Sequence, residues 1–375
     1  MKKIGILTLY YKNYNYGGLL QAYALRQVVE NLGYDCEQIS FVRNKDGKLL
    51  RILRELFSSK EVFTNIVAVR LNVMYNRIVR GYDGSDKSTH DLFDKFMSEI
   101  PHSAVVDKEG AKSLSTQYDA IIVGSDQVWN PVYTNDEYLL SFADASKTKK
   151  ISYAASIRVN RVLKNEADSF KKYLSEISKI SVREEKAKTL LKSIGVKQDI
   201  DVVPDPTFLL SKEEWSKIIT PVNLPYKYIF AYLVRDKKSI ANLKKYAQSI
   251  GAKVVLVSDP GFYVEEDETL VKYDKGVGPK EFVSLINEAE FVVANSFHGT
   301  AFSIILNKQF AVYGDINVDD RKGTVLRAYG IEDRIIPFNY NFEKPFAEIN
   351  FTNVNEILSQ KRNWAKAWLN NALDS

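Results

Sequence analysis

Short apolar runs alternate with amphipathic stretches along most of the chain, which has 375 residues. Apolar runs bounded by turn-forming residues are typical of buried strands, and the amphipathic stretches between them are typical of helices. This alternation predicts an α/β protein whose mostly parallel sheets are connected by crossover helices. The predicted strands are residues 4–9, 36–41, 118–124, 150–154, 180–183, 201–206, 228–233, 253–257, 291–294 and 309–313. The predicted helices are residues 17–32, 165–178, 238–250, 279–288, 300–306 and 353–373.

The clearest break in the pattern is a proline-bounded connection at residues 221–225. It predicts two Rossmann-like domains, 1–222 and 223–375, whose sheets face a central cleft. Ligands of such open sheets bind outside the carboxyl ends of the strands. The final helix, 353–373, is expected to pack across the two domains.

Residues 48–99 combine helical periodicity with many basic side chains. Such a face is usually exposed to solvent, and contact with an acceptor or a membrane surface is left open.

The composition is that of a soluble globular protein, with 45% hydrophobic and 26% charged residues. The net charge of +5 fits an anionic small substrate or an anionic membrane surface and does not require nucleic acid. The N-terminal apolar run is too short for a signal peptide, and no apolar run is long enough to span a membrane. A cytoplasmic location is therefore expected, with association at the inner face of the membrane left open.

Cysteine and histidine are scarce in the sequence. The single cysteine, Cys36, excludes an intrachain disulfide and is interpreted as a small, partly buried residue. The three histidines have no metal-ligand spacing, so no metal site is expected. No phosphate-binding glycine motif of the P-loop or dinucleotide type is present, and no dinucleotide cofactor is expected.

His298 is the first candidate for chemistry. It follows the predicted strand 291–294 and opens the predicted helix after it, where backbone N–H groups and the helix dipole favour an anion. Gly299 permits close approach of the backbone to a ligand. A histidine that only bonds to the turn is the alternative interpretation, and position alone does not separate the two.

Two loops form the second group of candidates. Asp126 follows a buried strand in the loop 124–131, where its carboxylate could meet a substrate hydroxyl or simply form an Asx-turn. A glycine-rich turn at residues 13–18 opens the first predicted helix. The residues assigned to the cleft, on the side that the resemblance described below gives to the acceptor, are Asn15, Gly17, Gly18, Ser125, Gln127, Trp129 and Asp205.

Arg183 and Arg321 are candidate anion clamps, because a guanidinium group matches carboxylate or phosphate geometry. Arg183 ends a predicted strand, and Arg321 lies in a predicted loop, 314–323. Each alone is more often a surface or salt-bridging arginine. Asp205, between two prolines, is also explained by bonding to a turn.

Taken in order, these motifs resemble the polysaccharide pyruvyl transferase family from about residue 4 to residue 340. No single motif is decisive, whereas their order is fairly specific. The residues that carry the resemblance are Asn15–Tyr23, Val123–Asn130, Ile180–Glu184, Pro204–Thr207, Ser296–Ala301 and, after Arg321, Gly330–Arg334.

The resemblance implies a fold like that of GT-B glycosyltransferases, with an acceptor-side first domain and a donor-side second domain. It also implies transfer of a pyruvyl group from phosphoenolpyruvate, a co-substrate, to two hydroxyls of a lipid-linked or nucleotide-linked glycan. By resemblance His298 is the general acid, and Asp126 is assigned to orient a hydroxyl or accept its proton. The residues assigned to the donor are Arg183, Arg321, Ser296, Gly299 and Thr300.

The sequence departs from the family pattern next to the histidine. Better-known members carry arginine and leucine where this chain has Ser296 and Phe297. Either Arg321, another basic residue and the helix N-terminus supply the missing cation, or the donor differs.

Two other function classes remain open at this stage. A GT-B glycosyltransferase would bind a nucleotide sugar in the second domain. A non-catalytic sugar-binding relative would lack convergent polar groups around His298.

Overall fold

The computed structural model describes residues 1–42, 75, 87–132, 134–234, 239–258, 264–273, 275–315, 320–342 and 346–374. Of the helical stretch predicted at residues 48–99, the part at 87–99 is a helix. Apart from residue 75, the remainder of that prediction lies outside the described residues.

Two six-stranded sheets organise the described chain, and every strand pair in them is parallel. The α/β class with parallel sheets is thus confirmed. The strands of the first sheet are β1 (Lys3–Leu7), β2 (Asp35–Gln38), β3 (Ala120–Val123), β4 (Lys149–Ala155), β5 (Lys179–Val182) and β6 (Ile200–Val202). The strands of the second are β7 (Tyr228–Leu233), β8 (Lys253–Ser258), β9 (Leu270–Val271), β10 (Phe291–Ala294), β11 (Phe310–Tyr313) and β12 (Ile335–Ile336).

Helices connect most of these strands. The α-helices are α1 (Tyr16–Asn31), α2 (Lys87–Glu99), α3 (Lys108–Ser115), α4 (Lys164–Leu174), α5 (Glu185–Ser193), α6 (Lys212–Ser216), α7 (Ile240–Ser249), α8 (Pro279–Glu288), α9 (Phe297–Ile305), α10 (Asp320–Ala328) and α11 (Phe351–Asp374). Short 3₁₀ helices lie at Asp136–Leu139, Pro206–Leu209 and Glu332–Arg334. Among the helices within these ranges, none combines the length and hydropathy needed to cross a membrane.

The chain folds into two compact units, each built on one sheet. The described residues of unit 1 are 1–42, 97–210 and 360–374, and those of unit 2 are 75, 87–96 and 211–359 with its gaps. The chain therefore changes unit at 210/211, before the predicted break at 221–225, and again within helices α2 and α11. Residues 360–374, which the sequence groups with the second domain, fold with unit 1. The predicted cleft between the domains stays a prediction.

The strands are buried because parallel sheets have helices on both faces, which requires continuous apolar runs rather than alternation. All residues of β3, β7 and β10 are buried. Each sheet closes its own core, centred on residues such as Ile121 in unit 1 and Val293 in unit 2.

The strand order reverses once in each sheet. The first sheet runs β2-β1-β3-β4-β5-β6, so the chain leaves β1 towards β2 on one side and builds β3 to β6 on the other. The second sheet runs β12-β11-β10-β7-β8-β9, and its reversal lies between β7 and β10. At such a switch point the loops at the carboxyl ends of the two strands diverge and leave a crevice for a ligand.

Candidate active site

His298 lies at the switch point of the second sheet, in the first turn of helix α9 and just after β10. Residues 295–298, which join β10 to this first turn, are called the His298 loop below. Ser296 is the N-cap of α9, and its Oγ accepts a hydrogen bond from Gly299 N at 3.0 Å. Ser296 O in turn accepts from Thr300 Oγ1 at 2.9 Å. These contacts fix the first turn of α9, so the imidazole is carried on a rigid helix start.

The His298 side chain is half-buried, and its Nε2 atom is buried. Its ring meets the Phe297 ring edge-on, with centroids 5.0 Å apart at 87°. The imidazole therefore sits against an aromatic wall at the carboxyl edge of the sheet. That setting suits a proton donor acting on a ligand at the helix N-terminus.

Gly299 is required by packing against the sheet. A Cβ at this position would lie 2.7 Å from Ala294 Cβ and 2.9 Å from Ser296 Oγ. Both distances are shorter than real Cβ contacts, and Ala294 is held in β10. The absence of a side chain lets α9 begin directly against the sheet.

Asn295 and Lys322 hold the His298 loop, and the sequence analysis did not single them out. The Asn295 side chain accepts from Val234 N at 2.7 Å and donates to Val234 O at 2.8 Å, which ties the end of β7 to the end of β10. The buried Lys322 ammonium donates to Asn295 O at 3.2 Å and to Tyr313 O at 2.7 Å, which adds the end of β11. A cation is thereby placed at the backbone carbonyl of Asn295, one residue before Ser296 in the sequence.

Arg321 lies in the first turn of helix α10, not in a loop as predicted from the sequence. The helix begins at Asp320, so both Arg321 and Lys322 are carried by the element that follows β11.

In unit 1 the structure brings Arg183, Asp126, Asp205 and Ser125 together, and adds Glu184. This group is called the Arg183 cluster. Arg183 Nε donates to Glu184 Oε1 at 2.9 Å, and its Nη1 donates to Asp205 Oδ2 at 2.8 Å. Ser125 Oγ donates to the same Asp205 oxygen at 3.0 Å. Arg183 Nη2 lies 4.0 Å from Asp126 Oδ1.

Arg183 is thus surrounded by carboxylates inside the protein. Burial opposes its charge, but the neighbouring carboxylates raise the pKa of Arg183 above its usual value. One guanidinium faces three carboxylates, and this differs from an arginine open to an anionic donor. The contacts connect β5, the loop after β3 and the turn at Asp205.

Asp126 is the carboxylate of this cluster that a ligand can reach. Its side chain is 17% exposed, against 7% for Glu184 and 0% for Asp205. Its backbone has a φ of 65°, a strained conformation for a residue with a side chain, and it forms a bridge with Ala155, the last residue of β4. Strained residues of this kind are concentrated at functional sites, because the surrounding structure must hold them in place.

Other predicted acceptor-side residues lie in the loops after β3 and β1. Gln127 Oε1 accepts from Asn130 Nδ2 at 2.8 Å. Trp129 is buried, and its Nε1 donates to Tyr138 O at 2.9 Å. Asn15 caps α1, and its Oδ1 accepts from Gly18 N at 2.9 Å.

The loops after β1 and β3 are in contact at the switch point of the first sheet. A Cβ at Gly124 would lie 2.5 Å from Thr8 Cγ2, so only glycine permits this approach. At the start of α1, Gly17 is buried, and a Cβ at Gly18 would lie 2.5 Å from Asn13 Nδ2. These glycines allow the loops to pack closely.

Two further groups of residues bear on the chemistry. Within the described ranges, no cluster of three or more histidine, cysteine, aspartate or glutamate side chains could hold a metal ion. Burial raises the pKa of Cys36 to about 12, so its thiol is protonated at neutral pH and is a poor nucleophile.

Comparisons with known proteins agree with the order of the motifs. The sequence profile described as polysaccharide pyruvyl transferase matches residues 15–315. None of the curated proteins compared with the chain matches it significantly.

Similar solved structures cover nearly the whole chain. UDP-GlcNAc 2-epimerase from Methanocaldococcus jannaschii is 12% identical and covers 97% of this chain and 93% of its own, with a TM-score of 0.48. The enzyme of the same name from Neisseria meningitidis, bound to UDP-GlcNAc, is 10% identical over 100% and 94%, with a TM-score of 0.46. The glycosyltransferase SnogD from Streptomyces nogalater is 12% identical over 97% and 95%, with a TM-score of 0.43. Similarity at this level does not transfer a ligand or an activity to this chain.

Proposed function

The chain belongs to the polysaccharide pyruvyl transferase family, and we propose that it moves a pyruvyl group from phosphoenolpyruvate to two hydroxyls of a glycan sugar. The product is a cyclic ketal on a glycan of a bacterial capsule, exopolysaccharide or cell wall. The observation that carries the proposal is the position of His298, at the switch point of the second sheet and in the first turn of α9.

The reaction needs an acid that protonates the methylene carbon of the donor and a base that accepts a proton from a sugar hydroxyl. His298 delivers a proton to the methylene carbon of phosphoenolpyruvate, which leaves an oxocarbenium-like C2. One sugar hydroxyl bonds to C2, phosphate leaves with the electrons of the C2–O bond, and the second hydroxyl closes the ring. Of the two hydroxyl protons released, one balances the proton placed on carbon and the other leaves with phosphate. A positioned acid of this kind contributes about 10²–10⁴-fold to the rate.

The donor carries a phosphate and a carboxylate, both of which need positive partners. The N-terminus of α9 offers backbone N–H groups and the positive end of its dipole. Lys322 brings an ammonium group to the base of the His298 loop. We assign Lys322, together with Arg321, to supply the positive charge of the family arginine, which is replaced by Ser296 in this chain.

In unit 1, Asp126 is the carboxylate proposed to orient an acceptor hydroxyl and take its proton. Its partial exposure and its fixed backbone support that role. We assign Arg183, predicted from the sequence to bind the donor, to support Asp126 instead, because its guanidinium is buried among carboxylates.

The test separates binding of the donor from the chemical step. Thermal shift and calorimetry of the pure protein with phosphoenolpyruvate, inorganic phosphate and UDP identify the anion that binds. At about 100 times its Kd, phosphoenolpyruvate is expected to add about 2.7 kcal/mol to the free energy of unfolding. His298→Gln should keep this stabilisation and lose phosphate release and ketal formation by at least about a hundredfold. Stabilisation by UDP and not by phosphoenolpyruvate would refute the assigned donor and favour a nucleotide-sugar enzyme.

A further inference from the structure

A pocket of about 380 Å³ opens in unit 1 beside Trp129, and we propose that it binds a neutral sugar. This Trp129 pocket is lined by, among others, Trp129, Asn135, Asp136, Asn165, Ser169 and Phe170. Its volume lies at the lower end of the range of about 300–1,000 Å³ typical of small-molecule sites. That size suits one or two sugar rings.

The pocket lies where open sheets bind ligands. Trp129 belongs to the loop that leaves the carboxyl end of β3, and Ser169 belongs to α4, the helix that follows β4. One wall of the pocket is formed by residues of α4, among them Asn165 and Ser169. This helix begins at the carboxyl edge of the parallel sheet. Ligands of such sheets bind at this edge.

The pocket offers hydrogen bonds of the kind that hydroxyl groups need. In the part of the chain that the structure describes, the side-chain amides of Asn135 and Asn165 have no hydrogen-bond partner. Asp136 receives one hydrogen bond, from Ser169 Oγ at 3.2 Å to its Oδ2. A side-chain amide both donates and accepts hydrogen bonds, and so does each sugar hydroxyl. An ammonium ligand only donates, so it would leave the amide N–H donors of the pocket unused.

The charge of the pocket excludes an anionic ligand. Three of its lining residues are carboxylates, Asp136, Glu137 and Glu166, against the single ammonium of Lys108. Lys108 Nζ lies 3.6 Å from Glu137 Oε1 and is itself mostly exposed. These carboxylates would repel the phosphate or carboxylate of a ligand, so phosphoenolpyruvate and nucleoside diphosphates do not fit here.

The walls of the pocket are preformed. Trp129 is fixed by its hydrogen bond to Tyr138 O, and its ring meets Phe170 edge-on with centroids 6.2 Å apart. The contact between Ser169 and Asp136 links α4 to the 3₁₀ helix at Asp136–Leu139. A sugar therefore binds without first ordering its site, which lowers the free-energy cost of binding.

A neutral polyhydroxyl ligand is what the proposed reaction requires as acceptor. The pocket is assigned to a sugar of the acceptor glycan, and this assignment rests on the proposed function. The proposal that the pocket binds a neutral sugar does not depend on the proposed function.

The experiment uses the full chain labelled with 5-fluorotryptophan. The sequence has four tryptophans, and the Trp129→Phe variant assigns the ¹⁹F resonance of Trp129. The probes are the methyl glycosides of glucose, galactose, mannose and N-acetylglucosamine, with phosphoenolpyruvate as the anionic comparison. At least one glycoside should shift the Trp129 resonance in a saturable way, and phosphoenolpyruvate should leave it unchanged.

Paired variants test whether the binding uses this pocket. Asp136→Ala and Asn165→Ala should each raise the Kd of the responding glycoside about tenfold. Asp168→Ala is the matched control, because Asp168 lies on the same helix α4, pairs with Lys171 and does not line the pocket. The proposal is overturned if no glycoside shifts Trp129, or if the control weakens binding as much as the pocket variants.

The same samples distinguish the two proposals. Stabilisation by phosphoenolpyruvate without any response of Trp129 to the glycosides would overturn the pocket and leave the proposed function standing. Saturable binding of a glycoside without binding of phosphoenolpyruvate would do the reverse.

Discussion

Arg183 is buried, and carboxylates surround its charge. A buried ion pair adds little net stability when it is complete, but removal of one partner leaves charges that water cannot solvate. Arg183 donates to both Glu184 and Asp205, so its removal takes a cationic partner from two carboxylates at once.

Arg183→Leu is therefore expected to lower the free energy of unfolding of unit 1 by about 3–5 kcal/mol. Urea unfolding measures the loss. The exposed Arg161 is the control, and Arg161→Leu should change stability by less than about 0.5 kcal/mol. A loss below about 1 kcal/mol for Arg183→Leu would mean that the carboxylates do not depend on the guanidinium.

At the scale of elements, the His298 loop is short because helix α9 begins close to the end of β10. The helix begins three residues after the strand ends, and only a glycine at position 299 leaves room for this. In an ordinary helix interior, replacing glycine by alanine stabilises by about 0.5–1 kcal/mol. Here the added methyl would collide with Ala294 Cβ, so the sign of the effect reverses.

Gly299→Ala is expected to cost about 1–3 kcal/mol through overpacking. The matched test is the double variant that also carries Ala294→Gly, which removes the methyl group on the other side of the collision. In a double-mutant cycle followed by thermal unfolding, the double variant should lose less stability than the sum of the two single variants. Simple additivity would show that the two positions do not collide.

The elements of the fold could be predicted where their signals are local. Strand β7 at residues 228–233, strand β10 at 291–294 and helix α8 at 279–288 were predicted with their observed bounds, because each is an apolar or amphipathic segment between turn-forming residues. The strands β9 and β12 were missed. With two residues each, they are too short to produce a periodic pattern.

The site could be predicted only as far as neighbouring residues define it. The strand-to-helix setting of His298 was visible in the sequence, since the strand and the helix adjoin it. The contacts of Asp205 with Ser125, 80 residues away, and of Asn295 with Val234, 61 residues away, depend on the order of strands in the sheets. In the sequence Lys322 was one lysine of a predicted loop, 314–323, and its contacts with the ends of β10 and β11 appear only in the structure.

At the scale of the whole molecule, the last helix connects chain segments that are far apart in the sequence. Residues 360–374 of α11 fold with unit 1, although residues 211–359 before them form unit 2. Arg362 donates to Phe208 O at 2.9 Å and to Leu210 O at 3.1 Å, and Trp368 Nε1 donates to Asp201 Oδ2 at 2.7 Å. The stability of unit 1 therefore depends on the end of the chain.

Truncation after Ser359 should selectively loosen unit 1, because it removes the buried Ala365 and Leu369 together with the hydrogen bonds of Arg362. Hydrogen exchange followed by mass spectrometry should show faster exchange in peptides that contain β5 and β6, with unchanged protection in those that contain β7 and β10.

Arg362→Ala should give a weaker form of the same pattern, since loss of hydrogen bonds from a charged group to buried carbonyls costs about 1–3 kcal/mol. Its neighbour Lys361 is exposed, so Lys361→Ala should leave exchange unchanged. Equal loss of protection in both units after truncation would show that α11 stabilises the molecule as one body.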